Sequence, residues 1–279
     1  MSPDLVSVII PNYNYAEYLH EAIDSVLNQD YSPIEIIVVD DGSTDASSEI
    51  LENYGSKIEV VRLSNSGAPT ARNFGLMHAR GFYIAYLDSD DFWIPTKVST
   101  QVKRIKETNA DLVYCRMEIL DTKSNSRTVS NEIREGSFRH EFLQHPTKTP
   151  FPPSTVLMTR DLVARVGFWD TTFKSPAEDF DYFRRCAKFT HFSVADEILV
   201  VHRNHPKSLT SSSISKYYID NRLGLIKLFA DEYSQLSFLA RRTSWTKLNF
   251  SYAKSFLKAF KLWEGIKCIV RCILPYSFS

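Results

Sequence analysis

Two rhythms of apolar residues alternate through the first ninety positions. Val6-Ser-Val-Ile-Ile10 is a short β-branched run closed by Pro11, the pattern of a strand buried on both faces. Glu17 to Leu27 then places Tyr18, Leu19, Ala22, Ile23, Val26 and Leu27 at helical spacing. Ile34 to Val39 reads as a second buried strand, and Ser43-Thr-Asp45 offers caps to a helix running to about Tyr54. Ile58 to Arg62 predicts a third strand, Pro69 to Ala79 a helix, and Phe82 to Leu87 a fourth strand. Strands that alternate with helices predict an α/β fold built on a doubly wound, mostly parallel, Rossmann-like sheet.

A sheet of that kind holds its ligands beyond the carboxyl ends of its strands. The residues that follow the strands are Pro11-Asn-Tyr-Asn14, Asp40-Asp-Gly-Ser43 and Asp88-Ser-Asp-Asp91. Two of these three segments are acidic, which is the wrong chemistry for gripping a bare phosphate. No GxGxxG or GxxxxGK[ST] segment supplies backbone amides in their place, which disfavours ordinary dinucleotide dehydrogenases and P-loop enzymes. An acidic crevice that takes a nucleotide needs a divalent cation between carboxylate and phosphate. Asp88 and Asp90, one residue apart in extended chain, can project to one side and share such an ion. A turn whose acids cap the helix beginning near Pro95 accounts for the same residues.

Val6 to Asn14, Val38-Val-Asp-Asp-Gly-Ser-Thr-Asp45, Ala71-Arg-Asn73 and Tyr86-Leu-Asp-Ser-Asp-Asp91, in that order, resemble the family 2 glycosyltransferases. The likeness runs from about Leu5 to Ser208. It implies a GT-A fold, a nucleotide-sugar donor, inversion at the anomeric carbon, and Mg²⁺ or Mn²⁺ held by the DXD motif. Under the resemblance Pro11 and Tyr13 line the nucleoside pocket, and Asp41 accepts a hydrogen bond from the base, taken as uracil. Arg72 sits near the base or phosphates, Asp88 meets ribose or sugar hydroxyls, Asp90 binds the metal, and Asp91 is a candidate neighbour of the acceptor or of the catalytic base. Phe168-Trp-Asp170 and Ala177-Glu-Asp-Phe-Asp181 resemble the segment that carries the general base, which makes Asp179 the base and Glu178 its neighbour. Crowding by Glu178 and Asp181 would raise the pKa of Asp179, although acids also favour any helix N-terminus. Val201 to Leu209 resembles the closing Arg-x-His…Ser segment and assigns Arg203, His205 and Ser208 to the diphosphate and the metal. Trp169, with Phe151 and Phe173, is a candidate to stack on an acceptor sugar or to fill core. The polar, then proline-punctuated stretch from Ser124 to Thr149 is the expected shaper of the acceptor site.

The implied activity is transfer of a sugar, from UDP, to a hydroxyl of a glycan or lipid-linked acceptor in polysaccharide, glycolipid or cell-surface glycan synthesis. A sugar nucleotidyltransferase is the rival enzyme, although its Gly-rich basic N-terminal loop is absent. A nucleotide-binding scaffold without turnover, held at the membrane, is the rival outside enzymes. The division expected is a catalytic domain over 1–210, with a nucleotide half of about 1–115 and an acceptor half of about 116–210, followed by a helical extension over 211–279.

Charge changes the picture only at the C-terminal end. The 279 residues carry 33 basic and 33 acidic side chains, which argues against a nucleic-acid binder held by a basic surface. From Arg241 onward, however, eight basic residues face one acid, Glu264, and the remainder has an acidic excess. Phe256, Phe260, Trp263, Ile266, Val270 and Ile273 recur every three or four positions, with Lys254, Lys258 and Lys261 nearly opposite. That is an amphipathic helix with a cationic face, suited to a peripheral membrane contact or to capping the catalytic domain. No signal peptide, membrane-spanning run, CxxC pair or Cys/His cluster is apparent, so the expected setting is cytoplasmic, with reduced thiols and peripheral placement at the inner face of the membrane.

Overall fold

The computed structural model describes residues 4–130, 133–139, 142, 151–173, 177–206, 219, 222–223, 225–227, 230, 238–258 and 261–273. They fall into two compact units. The first comprises Met1–Ser137, Pro150–Thr171 and Arg185–Pro206; the second comprises Phe138–Thr149, Thr172–Arg184 and Lys207–Ser279. Glu178 and Asp179 therefore belong to the same unit as the C-terminal helices.

The first unit is built on one nine-stranded sheet. Strand β1 (Val6–Asn12), helix α1 (Ala16–Leu27), β2 (Ile34–Asp40), α2 (Ser47–Asn53), β3 (Glu59–Arg62), α3 (Ala68–His78) and β4 (Tyr83–Tyr86) follow the predicted alternation to within a few residues at each end. β1 lies between β2 and β4, and β2 carries β3, all parallel. Every residue of β1 is buried, which is why its apolar run is unbroken. Leu19, Ala22, Ile23 and Val26 form the buried face of α1. Gly75 of α3 lets that helix lie directly on β1, where a Cβ would come 2.3 Å from Ile9 Cγ2.

Beyond β4 the sheet becomes mixed. β5 (Phe92–Trp93), α4 (Lys97–Thr108), β6 (Leu112–Asp121), β7 (Ser126–Val129), β8 (Val156–Thr159), α5 (Arg160–Val166), α6 (Ala177–Cys186) and β9 (Phe192–Asn204) follow in chain order. β8 runs antiparallel to both β4 and β6, β6 and β9 are parallel, and β5 is antiparallel to β9. The apolar run Ile198 to Val201 covers only part of β9. The strand starts six residues earlier and bends where its register against β6 shifts around Arg116.

In the second unit, α7 (Phe238–Lys258) and α8 (Leu262–Ile273) pack as a helical hairpin through Ala253, Phe256 and Cys268. The single amphipathic helix expected from the spacing is thus two. Lys261 N–H returns to the carbonyl of Phe256 at 2.9 Å, a bond that closes α7. Gly265 lets α8 press on α7, since a Cβ there would meet Leu257 Cδ2 at 2.9 Å. Phe256 consequently faces into the hairpin, while Trp263, Ile266 and Val270 face out.

Candidate active site

Three parallel strands end at one edge of the sheet, and their loops brace one another. Asp40 Oδ1 accepts from Asn12 Nδ2 at 2.9 Å and from Ser43 Oγ at 2.5 Å. Ser43 Oγ also accepts from the Asn14 backbone N–H at 2.9 Å, and Asn14 Oδ1 accepts from that of Thr44 at 2.7 Å. Asp45 then caps two helices: its carboxylate accepts from Ala16 N–H of α1 at 2.9 Å and from Ser47 N–H of α2 at 3.0 Å. Pro11 is buried within β1, whereas Tyr13 is 41% exposed, so its ring is open to a ligand.

Asp41 is buried at the end of β2. Its two carboxylate oxygens accept from the backbone N–H groups of Ser66 and Gly67, both at 2.7 Å, at the N-terminus of α3. Each oxygen keeps a further lone pair for a base. Gly42 makes this turn possible: its φ is +78°, and a Cβ would stand 2.9 Å from the Asn65 nitrogen and 3.2 Å from the Leu63 carbonyl. Gly42→Ala should therefore cost about 1–3 kcal/mol and lower Tm. A variant with the parent's Tm would mean that the loop yields freely.

The acidic turn after β4 divides its labour. Asp88 Oδ1 accepts from Arg72 Nη2 at 2.8 Å, which joins two of the residues expected at the donor. Asp91, expected beside the acceptor or the base, is instead wholly buried. Its carboxylate accepts from Ser154 Oγ at 2.6 Å and from the Arg203 backbone N–H at 3.1 Å, and it pairs with His202 Nδ1 at 3.0 Å. The negative charge of Asp91 lifts the His202 imidazole to about 9 against the effect of burial, so the ring is cationic at neutral pH. Asp91 thus anchors the turn from within and offers no surface to an acceptor.

Asp90 and His205, the two expected metal ligands, come together: Asp90 Oδ2 and His205 Nε2 are 3.1 Å apart. The imidazole lies between two tyrosines, edge-on to Tyr15 with centroids 5.5 Å apart and tilted against Tyr18 at 4.8 Å. Burial pushes the Asp90 carboxyl upward; the hydrogen bond to His205 opposes this, and the neighbouring acids Asp91 and Asp88 add to it. Tyr15 is raised by burial and then by Asp90 and Asp88. Arg203, expected on the diphosphate, is buried with its guanidinium on Glu21 and on the Asp90 carbonyl, the latter at 2.8 Å. Its plane also lies over Phe92, 4.6 Å from the ring centroid.

Pairing of charges decides what this cluster can bind. Asp88 faces Arg72, Asp91 faces His202 and Glu21 faces Arg203. Among the described residues, Asp90 pairs with His205. Among the described residues no three acids, histidines or cysteines converge as a metal cage. A carboxylate and an imidazole within 3.1 Å of each other could supply two donors to a divalent ion whose other ligands are substrate phosphates and water.

For Trp169 the packing fits the core alternative. The ring is buried, its Nε1–H donates to the Tyr86 hydroxyl at 3.0 Å, and Arg72 lies over it at 4.7 Å. Asn73 holds its backbone from both sides, at 2.8 and 2.9 Å. A ring enclosed in this way is core and backs the Arg72 guanidinium. Phe151, stacked on Tyr114 with centroids 4.2 Å apart, is core as well, and Phe173 is buried in the second unit under the Lys227 ammonium.

In the second unit Glu178 and Asp179 occupy the first turn of α6, where carboxylates favour the helix dipole. Asp181 is engaged by Arg184 at 2.8 Å, with both groups buried. Ser208 and most of the 131–150 stretch lie outside the described residues.

Residues to which the sequence assigned no role at the site are Asn12, Asn14 and Ser43, which brace the loops after β1 and β2, Ser154 and His202, which anchor Asp91, and Glu21 and Tyr15 at the first helical segment. Only His202 and the Asn-Tyr-Asn run carried a signal, through their place next to assigned motifs.

The sequence model described as Glycosyl transferase family 2 matches residues 7–167, more than half of the chain. An uncharacterized glycosyltransferase of Rickettsia typhi is 34% identical over 216 residues, covering 76% of this chain and 68% of the relative. One from Haemophilus influenzae is 34% identical over 210 residues, covering 73% and 78%. Among solved structures, S. aureus TarS 1-349 in complex with UDP superposes with a TM-score of 0.67 at 23% identity, covering 92% of this chain and 74% of that one. A mannosyltransferase from Pyrobaculum calidifontis in complex with GDP-Man and Mn²⁺ gives 0.61 at 19% identity, covering 98% and 76%. The fold is therefore that of the GT-A glycosyltransferases. The chain belongs to glycosyl transferase family 2, and its activity is glycosyl transfer.

Proposed function

We propose that this glycosyltransferase inverts the anomeric carbon, depends on a divalent ion, and moves a sugar from UDP to a hydroxyl of a glycan or lipid-linked acceptor. The observation that carries the reading is the Asp90–His205 pair, set in an acidic turn whose other carboxylates already face cations. Asp90 and His205 would hold Mg²⁺ or Mn²⁺. Such an ion, when bound, offsets the charge that develops on a departing diphosphate.

The other roles fall to the chain's own groups. Tyr13 offers an open face to the base, and the lone pairs left on Asp41 suit the N3–H of uracil. The Arg72–Asp88 pair stands at the turn with Trp169 behind it, so Asp88 can accept from a ribose or sugar hydroxyl without leaving Arg72. Arg203 keeps the Asp90 backbone in place and adds positive charge next to the leaving group. Asp179 is the proposed base, taking the acceptor proton as the hydroxyl attacks from the face opposite the diphosphate, with Glu178 beside it. Ser208 remains assigned to the diphosphate on the resemblance alone. Support for uracil and for the ion comes from the solved relatives, one carrying UDP and the other Mn²⁺ with GDP-Man.

The test is release of free UDP from a panel of UDP-sugars mixed with candidate acceptors, with Mn²⁺ or Mg²⁺ and then with chelator. Acceptor-dependent UDP release that stops on chelation is expected. Full turnover in chelator would remove the metal from the reading, and release from GDP-sugars alone would remove the uracil.

A further inference from the structure

The helical hairpin of the second unit has a surface that the donor reading does not use. Around α8 the residues sort into three sectors. Gly265 and Cys268 pack on α7; Glu264, Lys267 and Arg271 form a polar strip; Leu262, Trp263, Ile266, Ile269 and Val270 form an apolar face that is exposed throughout. At 100° per residue those five positions span about a third of the helix circumference. Trp263, at 70% exposure, is the most open of them. On α7 the exposed side alternates aromatic or aliphatic with basic residues: Lys247, Phe250, Lys254, Leu257 and Lys258, with the Lys254 ammonium 4.6 Å above the Phe250 ring.

A contiguous apolar face of this size on water calls for an occupant, and three features select it. Charge is the first: eight basic residues against one acid from Arg241 onward favour an anionic surface and oppose a second copy docked face to face through the same hairpin. Length is the second. α8 has 12 residues, and among the described residues no helix is long and apolar enough to cross a membrane, so the hairpin can lie on a bilayer but not span one. Composition is the third, since a tryptophan with aliphatic neighbours, flanked by lysines, matches the headgroup boundary, where an indole buries its body and keeps its N–H in a polar layer. We infer that the α7–α8 hairpin docks this protein on an anionic lipid bilayer, with the Trp263 face of α8 inserted and the lysines of α7 on the headgroups. The inference does not depend on the assignment of the donor or the metal.

Flotation of the full chain with vesicles tests it. Binding is expected to vesicles in which part of the phosphatidylcholine is replaced by phosphatidylglycerol, weakening as salt rises. Of the four tryptophans, Trp93, Trp169 and Trp245 are buried, so a blue shift of emission on binding reports Trp263. Trp263→Ser with Ile266→Ser should abolish the shift and the binding. Lys254→Glu with Lys258→Glu should weaken binding by about tenfold or more, as expected for reversing two charges near an anionic leaflet. All four positions are solvent-facing, so Tm and vesicle-free glycosyl transfer should stay at the parent's values in both variants. No binding to anionic vesicles, equal binding to neutral ones, or binding that both variants retain would overturn the inference. So would a concentration-dependent dimer that Trp263→Ser with Ile266→Ser dissolves, because a second copy would then be what covers the face.

Discussion

Asp179→Asn is expected to lower kcat by about 10²–10⁴-fold while UDP-sugar binding, measured by calorimetry with Mn²⁺, stays at the parent's value. The amide keeps the size of the carboxyl and can still accept a hydrogen bond at one oxygen. It cannot take a proton, so an acceptor hydroxyl would have to attack as a neutral nucleophile. The loss should therefore appear in kcat with little change in donor Kd, the mark of a group that matters only as the reaction proceeds. Glu178 makes the informative comparison: Glu178→Gln should leave far more activity, since its proposed place is beside the base. If Asp179→Asn turns over at the parent's rate, the base lies elsewhere in the chain.

Asp90→Asn should cost on the order of 10³-fold in kcat/KM, because a metal ion contributes several kcal/mol to stabilising charge in the transition state. Here donor binding should fall as well, in contrast to Asp179→Asn. Chelation provides the internal control. It should reduce the parent to the level of Asp90→Asn and do little further to the variant, since both remove the same ion. The surrounding turn should survive the change: Asp91 is bonded to Ser154 and Arg203, Asp88 to Arg72, and none of these partners belongs to the Asp90 carboxyl. An unchanged Tm with lost metal response is thus the expected pair of results. A variant that keeps full metal-dependent activity would exclude Asp90 as a ligand.

The two variants separate because the residues sit on different kinds of chain. Asp90 follows a strand whose partners hold it through backbone pairing, whereas Asp179 rides the first turn of a helix in the other compact unit. The first of these positions was readable because a buried strand leaves an unbroken apolar run, and Phe82 to Leu87 announces where it ends. The second rests on the resemblance alone, since an acidic first turn is what any helix prefers.

Less of the supporting structure could be read. Ser154 lies far along the chain from Asp91, in a proline-punctuated segment with no periodicity to place it. It reaches Asp88 and Asp91 because β8 runs antiparallel to β4 in a register that pairs Ala85 with Leu157, which sets Ser154 across from Asp88. Glu21, on the polar side of α1, has the pattern of a solvated acid and is the partner of Arg203. The C-terminal pattern misled in a more specific way. A spacing of three or four residues continues across a helix break as smoothly as along a helix, so Phe256 and Trp263 share a register in sequence and point to opposite environments in the fold.

The sequence by itself determined the parallel strands, the helices between them and the identity of the acids at their tips, because burial imposes its period on neighbouring residues and a strand's end is a local event. Only the tertiary structure decided which of those acids are neutralised. The pairing of Phe92 with Val201 brings His202, Arg203 and His205 across more than a hundred residues to the turn at 88–91, and so commits Asp91 to an internal brace and sets Asp90 against His205. Such a pairing is governed by strand order and register across the sheet, which no local run of residues encodes.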